Sequence, residues 1–199
     1  MLEMIDFIVF DKVCAFQYKR LLQKKEMCAI SCNFSRKHFM KPDFVEMLEL
    51  IRSRYQVPPY YLAVEILEGS AFTREYWVMD NVEKLNNLEY GICLDDCGGD
   101  NSTVADLIIE DITEIKIDKK LVDHIEQKNV QILLEGVSFI AKKMGYKVVC
   151  EGVETKRQYE LVMKCGIDVM QGVYFYRPMN TEKAEKLYDV MNIKGVRGL

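Results

Sequence analysis

Tyr90-Gly91-Ile92-Cys93-Leu94-Asp95-Asp96-Cys97-Gly98-Gly99-Asp100 is the stretch whose reading decides the fold. Apolar residues run directly into two adjacent carboxylates and then a glycine pair. That is how a buried strand ends at an active-site rim, with the acids left where they could hold a metal. An Asp-Asp pair alone is more often a solvated turn, so the reading depends on what the rest of the chain places beside it.

Around this stretch, helical and strand patterns alternate. A helical stripe is expected over residues 4–24 from Ile5, Ile8, Val9, Val13, Phe16 and Leu21. Strands are expected over 29–33, 60–66, 91–95, 114–118, 147–151 and 169–175. Helices are expected over 43–54, from Ser70 to about Asn87, after Ser102, over 121–144 up to Gly145, after the capping box Thr155-x-x-Gln158, and over 182–192. Six strands alternating with helices, with no Pro/Gly/Ser-rich linker between them, imply parallel strands joined by crossover helices in a single domain.

Both doubly wound sheets and (β/α)8 barrels fit that alternation, and side-chain parity chooses between them. One face carries Ile30, Cys32, Leu62, Val64, Ile66, Ile92, Leu94, Ile115, Ile117, Val148 and Cys150, suited to packing under helices. The other carries Ala29, Ser31, Asn33, Ala63, Glu65, Cys93, Asp95, Lys116, Val149, Glu151 and Gln171: small residues early in each strand, a polar one near its end. A barrel needs limited volume inside and chemistry at its C-terminal rim, whereas a doubly wound sheet is more often apolar on both faces. The expected fold is therefore a TIM-like (β/α)8 barrel, incomplete, with about six of eight strands readable.

The bulk numbers agree with a folded protein. The chain has 199 residues, 49% hydrophobic and 29% charged, with a net charge of −4 and no Lys/Arg-rich run, which argues against a DNA-backbone binder. Seven cysteines, an odd number without a zinc-type spacing, read as reduced thiols. Neither a signal peptide nor a long apolar span is legible, so the cytoplasm is the default expectation.

Asn33, Glu65, Asp95, Asp96, Lys116, Glu151 and Gln171 fall on or just after six different strands. Carboxylates and an amide oxygen are hard ligands suited to Mg²⁺ or Mn²⁺, and two such ions suit in-line displacement at phosphorus. His38 and His124 lie far from any Ser or Cys nucleophile motif.

Asn33-Phe34-Ser35, Glu65-Ile66-Leu67-Glu68, Asp95-Asp96-Cys97-Gly98, Lys116-Ile117-Asp118, Glu151-Gly152-Val153-Glu154-Thr155 and Gln171-Gly172 with Phe175, followed by Pro178, resemble in order the motifs of the EAL domain, the bacterial cyclic di-GMP phosphodiesterase family. The resemblance implies that Asn33, Glu65 and Asp95 hold one Mg²⁺ or Mn²⁺ ion and that Asp96 helps hold a second. Lys116 would position the nucleophilic water, and Glu151 would serve as metal ligand or general base. Glu154 would brace the loop after Asp96, while Gln171 and Glu68 would act in support. The partner it implies is cyclic di-GMP. It leaves open a homodimer and fusion to a sensor or diguanylate cyclase domain.

Two departures stand out. The sequence holds no E-A-L tripeptide, so a single EAL-like domain over 1–199 is expected to lack its first strands and one metal-binding Glu, and the chain alone to be inactive or nearly so. The loop Cys97-Gly98-Gly99-Asp100-Asn101-Ser102-Thr103 also diverges from the family's F-G-T-G-Y-S-S, and Leu67 replaces a Thr. The alternative expectation is a degenerate module that binds cyclic di-GMP or a protein partner without turnover.

Overall fold

The computed structural model describes residues 2–67, 75–99, 110–167 and 169–193. In chain order the elements are α1 (Leu2–Leu22), β1 (Ile30–Phe34), α2 (Arg36–Phe39), α3 (Phe44–Ser53), β2 (Leu62–Leu67), α4 (Tyr76–Asn87), β3 (Gly91–Cys97), β4 (Glu114–Ile117), α5 (Lys119–Asp123), α6 (Lys128–Lys143), β5 (Lys147–Cys150), α7 (Lys156–Lys164), β6 (Val169–Met170) and α8 (Thr181–Ile193). The expected starts of two helices, at Ser70 and Ser102, lie outside the described residues, as do Glu68 and Asp100.

The six strands form one sheet in the order β1-β2-β3-β4-β5-β6, every neighbouring pair parallel. A doubly wound sheet reverses its strand order at a switch point. This one never reverses, which is the winding of a barrel. Parity holds as expected. Cys32, Leu62, Val64, Ile66, Ile92, Leu94, Ile115, Ile117, Val148 and Cys150 are buried in the core under the helices. Ile30 is half-buried.

The register between β3 and β4 slips by one residue: Leu94 faces Ile115, but Cys97 faces Ile117. The extra residue is absorbed at Asp95-Asp96, where Asp96 has φ +60°. The strand therefore does not end at Asp95, as its sequence suggested. It bulges there and runs on to Cys97, and a bulge re-aims side chains at a strand's working end.

Three expectations are corrected. The apolar stripe of α1 is not its buried face. Ile5, Ile8, Val9 and Leu21 are exposed, while Phe10, Cys14, Gln17 and Arg20 are buried. Both polar members donate to backbone carbonyls, while Gln17 Oε1 is buried without a hydrogen-bond partner among the described residues. Gln17 Nε2 donates to the carbonyls of Cys28 (2.6 Å) and Tyr61 (3.0 Å), and Arg20 donates to that of Glu26 through Nε (3.0 Å) and Nη2 (2.7 Å). A polarity pattern cannot register such a face.

The long helix expected over 121–144 is two helices. Val122, Ile125, Leu134 and Ala141 are all buried. At about 100° per residue, an unbroken helix would turn Val122 and Ile125 to the far side from Leu134. Breaking the helix at 124–127 lets both sets reach the core.

The last strand is two residues long, not seven. Gly172 lies directly on the backbone of Val153, where any Cβ would collide, and the chain turns there through the bond from Phe175 N–H to the Gly172 carbonyl at 3.1 Å. The capping box is present as expected: the Thr155 hydroxyl accepts from Gln158 N–H at 3.2 Å, and Gln158 Oε1 accepts from Thr155 N–H at 2.9 Å. All seven cysteines are free. Burial pushes the thiols of Cys14, Cys32 and Cys150 up to about 12, which makes them poor nucleophiles at neutral pH. Among the described residues no helix is long and apolar enough to cross a membrane.

Candidate functional site

The rim is organised around Lys116. Parallel pairing brings the ends of β2, β3, β4 and β5 to one edge of the sheet, and inward parity at each end delivers Glu65, Asp95, Lys116 and Glu151. The Lys116 ammonium lies 2.6 Å from Glu151 Oε1, 2.8 Å from Glu65 Oε2 and 3.4 Å from Asp95 Oδ1. Glu65, Asp95 and Lys116 are buried, with 4%, 8% and 6% of their surfaces exposed, so these charges are screened little by solvent.

Burial works against the charge on Lys116, but its hydrogen bonds to Glu151 and Glu65 outweigh that cost and hold its pKa above the ordinary lysine range. The Glu151 carboxyl is held above its usual range, chiefly by desolvation, with Lys116 opposing. Asp96 is also raised, by desolvation first and then by the charges of Asp95 and Asp118.

Of the residues expected at the site, Glu65, Asp95, Lys116 and Glu151 are brought together. Asp96 is exposed beside them, its amide donating to Asp95 Oδ1 at 3.0 Å. Asn33 stands in register with Glu65 on the neighbouring strand, exposed. Gln171 is exposed and held by its backbone, its N–H donating to the Cys150 carbonyl at 2.8 Å and its carbonyl accepting from Val153 N–H at 3.1 Å. Glu154 is not in this group. It is exposed and pairs with Lys119 at 2.9 Å. The loop Glu154 was expected to brace lies beyond Gly99, outside the described residues; at the end of β3 the Asp118 amide donates to the Cys97 carbonyl at 3.0 Å. Sequence reasoning placed Asp118 in a motif but gave it no task, and Lys119 carried no signal at all.

A cavity of about 760 Å³ opens from Glu151 and Gln171 toward Phe16 of α1, Ile30 of β1 and Leu187 and Tyr188 of α8. Its apolar far wall is supplied by α8, a helix whose sequence gave no hint of bordering the site.

The donor set suits a hard divalent cation. Three carboxylates against one ammonium leave an excess of two negative charges when all are ionised, with Asp96 and the Asn33 amide adjacent. Among the described residues no three acidic, His or Cys side chains are gathered in an arrangement that could by itself hold a metal ion. Lys116 Nζ holds the point on which three of the carboxylates converge.

Known proteins resemble this chain in sequence and in fold. The chain is 32% identical over 156 residues to the oxygen sensor protein DosP of Escherichia coli, covering 78% of this chain and 20% of DosP. It is 30% identical over 152 residues to the probable cyclic di-GMP phosphodiesterase PdeG of the same organism, covering 75% of this chain and 30% of PdeG. It thus spans a fifth to under a third of these relatives' lengths. The solved structure of the PaMucR phosphodiesterase in complex with c-di-GMP superposes with a TM-score of 0.83 at 25% identity, covering 91% of this chain and 74% of that one. The EAL domain profile itself matches residues 1–178, rim and strands included, and the chain belongs to the EAL domain family.

Proposed function

We propose that this chain forms part of a cyclic di-GMP phosphodiesterase barrel, hydrolysing one phosphodiester of the cyclic dinucleotide to give the linear form. The observation that carries the reading is the convergence of Glu65, Asp95 and Glu151, from three strands, on Lys116. Membership in the EAL family supports the choice of substrate.

Asn33, Glu65, Asp95 and Asp96 would hold Mg²⁺ or Mn²⁺. Bound divalent ions would supply charge neutralisation at the phosphodiester and acidify water. The remaining work belongs to the chain's own groups. Lys116, fixed among its carboxylates, directs an N–H toward the attacking water or the phosphoryl oxygens, where negative charge grows as oxygen bonds to phosphorus. Glu151, half-buried with a raised pKa, is placed to take the water's proton, because a base works best when its pKa approaches the working pH. One P–O bond of the ring breaks, and the leaving oxygen takes up a proton. Gln171 borders the same mouth. Glu68 and Glu154 are assigned support at the rim, Glu154 through Lys119.

Since the 199 residues contain no E-A-L tripeptide, one acidic ligand of the family pattern has no counterpart here, and slow turnover by the chain on its own is expected. The second reading, a module that binds the dinucleotide without turnover, is favoured by one observation: Lys116 already engages two of the carboxylates a metal would use, Glu65 and Asp95, together with the base Glu151. A homodimer, or fusion to sensor or cyclase domains, fits the family's use in signalling, and a cytoplasmic location fits a signalling substrate.

The experiment is hydrolysis of cyclic di-GMP with Mn²⁺, read by chromatography, alongside calorimetric binding, for the chain and its Lys116→Met and Glu151→Gln variants. Slow product formation abolished by either substitution supports the enzyme. Binding without product supports the module. Neither binding nor product overturns both.

A further inference from the structure

The five-residue helix α5 begins three residues after Lys116 and lies between the two acidic loops of the rim. On one side it supports the loop after Asp95-Asp96. Gly98, at φ +89°, closes on Leu121 so tightly that a Cβ there would run into Leu121 Cδ1 and sit 3.3 Å from Cγ. The Asp118 amide holds the Cys97 carbonyl on the same side at 3.0 Å.

On its other side α5 supports the loop after Glu151. Gly152, at φ +70°, lies on the aliphatic stem of Lys119, where a Cβ would run into Cγ and come 2.6 Å from Lys119 Cβ and 2.9 Å from Cδ. The Lys119 ammonium takes no part in that contact. It reaches outward to Asp123 at 2.8 Å and Glu154 at 2.9 Å. The far loop is then tied to the end of the sheet, since Val153 N–H donates to the Gln171 carbonyl at 3.1 Å. Both glycines hold left-handed backbone that other residues adopt at a cost, and at each the body of α5 occupies the space a side chain would need.

We propose that α5 is a positioning wedge: Leu121 under Gly98 and the Lys119 stem under Gly152 set the spacing of Asp95-Asp96 from Glu151 around Lys116, and couple the two loops. Lys116 and the paired strands draw these carboxylates together, and the packed body between the loops sets how closely the two loops approach. Close-packed side chains resist compression and transmit displacement. A divalent ion tolerates ligand distances within a few tenths of an ångström, so a shift of either loop is felt as lost affinity. Leu121 and Lys119 touch no reacting atom and are positioning residues. Only the consequence for metal rests on the phosphodiesterase reading.

The test compares the chain with Leu121→Ala, Leu121→Met, Lys119→Ala, Lys119→Met and the double variant L121A/K119A. In metal-free protein, L121A should raise amide exchange at Val153, on the far side of the wedge, by at least about fivefold, and K119A should do the same at Gly99. Exchange that rises only beside the substituted residue overturns the coupling. Mn²⁺ affinity, measured by calorimetry, should fall about tenfold in K119A and L121A. It should stay within about twofold of the parent in K119M and L121M, which keep the stem and the volume. The double variant should lose little more than the worse single one, as expected for residues acting through one body. Losses that multiply, or a K119M as weak as K119A, overturn the proposal. A parent chain that takes up no Mn²⁺ overturns the metal reading instead, and the exchange measurement then decides the wedge alone.

Discussion

At the scale of single residues, the site is a competition between protons, one ammonium and any incoming cation for the same few oxygens. Desolvation raises Glu151 and Asp96, so each binds a proton more tightly in the folded protein than in the unfolded chain. For a carboxyl with a raised folded pKa, the stabilising contribution is full below the unfolded pKa, near 4, and is lost as pH rises through the folded value. At neutral pH both groups are therefore charged at some expense to stability, and a bound divalent cation would relieve it. The same shift makes protons stronger competitors for the metal. Mn²⁺ affinity is expected to fall as pH drops from 7.5 toward 5, starting above the ordinary carboxylate range. Asp96→Asn should weaken binding and flatten this fall. Calorimetry across that range checks it, and affinity that stays level to pH 5 counts against Asp96 as a ligand.

At the scale of elements, α1 shows how a helix can bury its polar side. Gln17 is fully buried, and its amide donates to two backbone carbonyls, at Cys28 and Tyr61. These are the approaches to β1 and β2, so one side chain ties the entries of two strands. Gln17→Ala should cost about 1–3 kcal/mol, because it takes the donor from two part-buried carbonyls as well as removing contacts. Gln17→Glu should cost as much, since it replaces the donor with a charge facing carbonyl oxygens. Urea denaturation measures both. An effect under about 0.5 kcal/mol, the usual scale for a surface substitution, would mean that these carbonyls find other donors.

At the scale of the whole molecule, the described part of the barrel is closed over by the C-terminal helix. α8 borders the cavity through Leu187 and Tyr188, and charge fastens it to α1 and the turn after it. Lys19 and Lys25 meet Glu185 at 2.9 and 3.2 Å, while Lys25 and Arg20 meet Asp189 at 2.6 and 3.0 Å. The lysine pairs are open to solvent and weaken with salt. Arg20 is buried and stacks over the Tyr188 ring at 4.6 Å, so its pair with Asp189 is shielded. Raising salt from 0.1 to 1 M should therefore speed amide exchange in α8 only modestly. Asp189→Asn should speed it more than Glu185→Gln, because it leaves a buried guanidinium without its carboxylate. Equal effects would place the fastening in the exposed lysines.

Chemical identity and winding direction were legible in the sequence. The period-two alternation of Leu62–Ile66 and Ile92–Asp95 set which side chains face inward, and the alternation of helices with strands made the sheet parallel. Asn33, Glu65, Asp95, Lys116 and Glu151 could therefore be placed near one rim before any coordinates. These are local properties: strand parity and helix period follow from backbone geometry over a few residues. Only the tertiary structure decided the rest. The Asp95-Asp96 bulge depends on the register of β3 against β4. The break at 124–127 depends on two buried sets that a straight helix cannot serve together. The polar buried face of α1 depends on carbonyls from other segments. The seat of both acidic loops on α5 depends on glycines meeting side chains 23 and 33 residues away in sequence, Gly98 on Leu121 and Gly152 on Lys119. Contacts between distant segments leave no period in a chain, so the sequence named the groups of the site while packing set the distances between them.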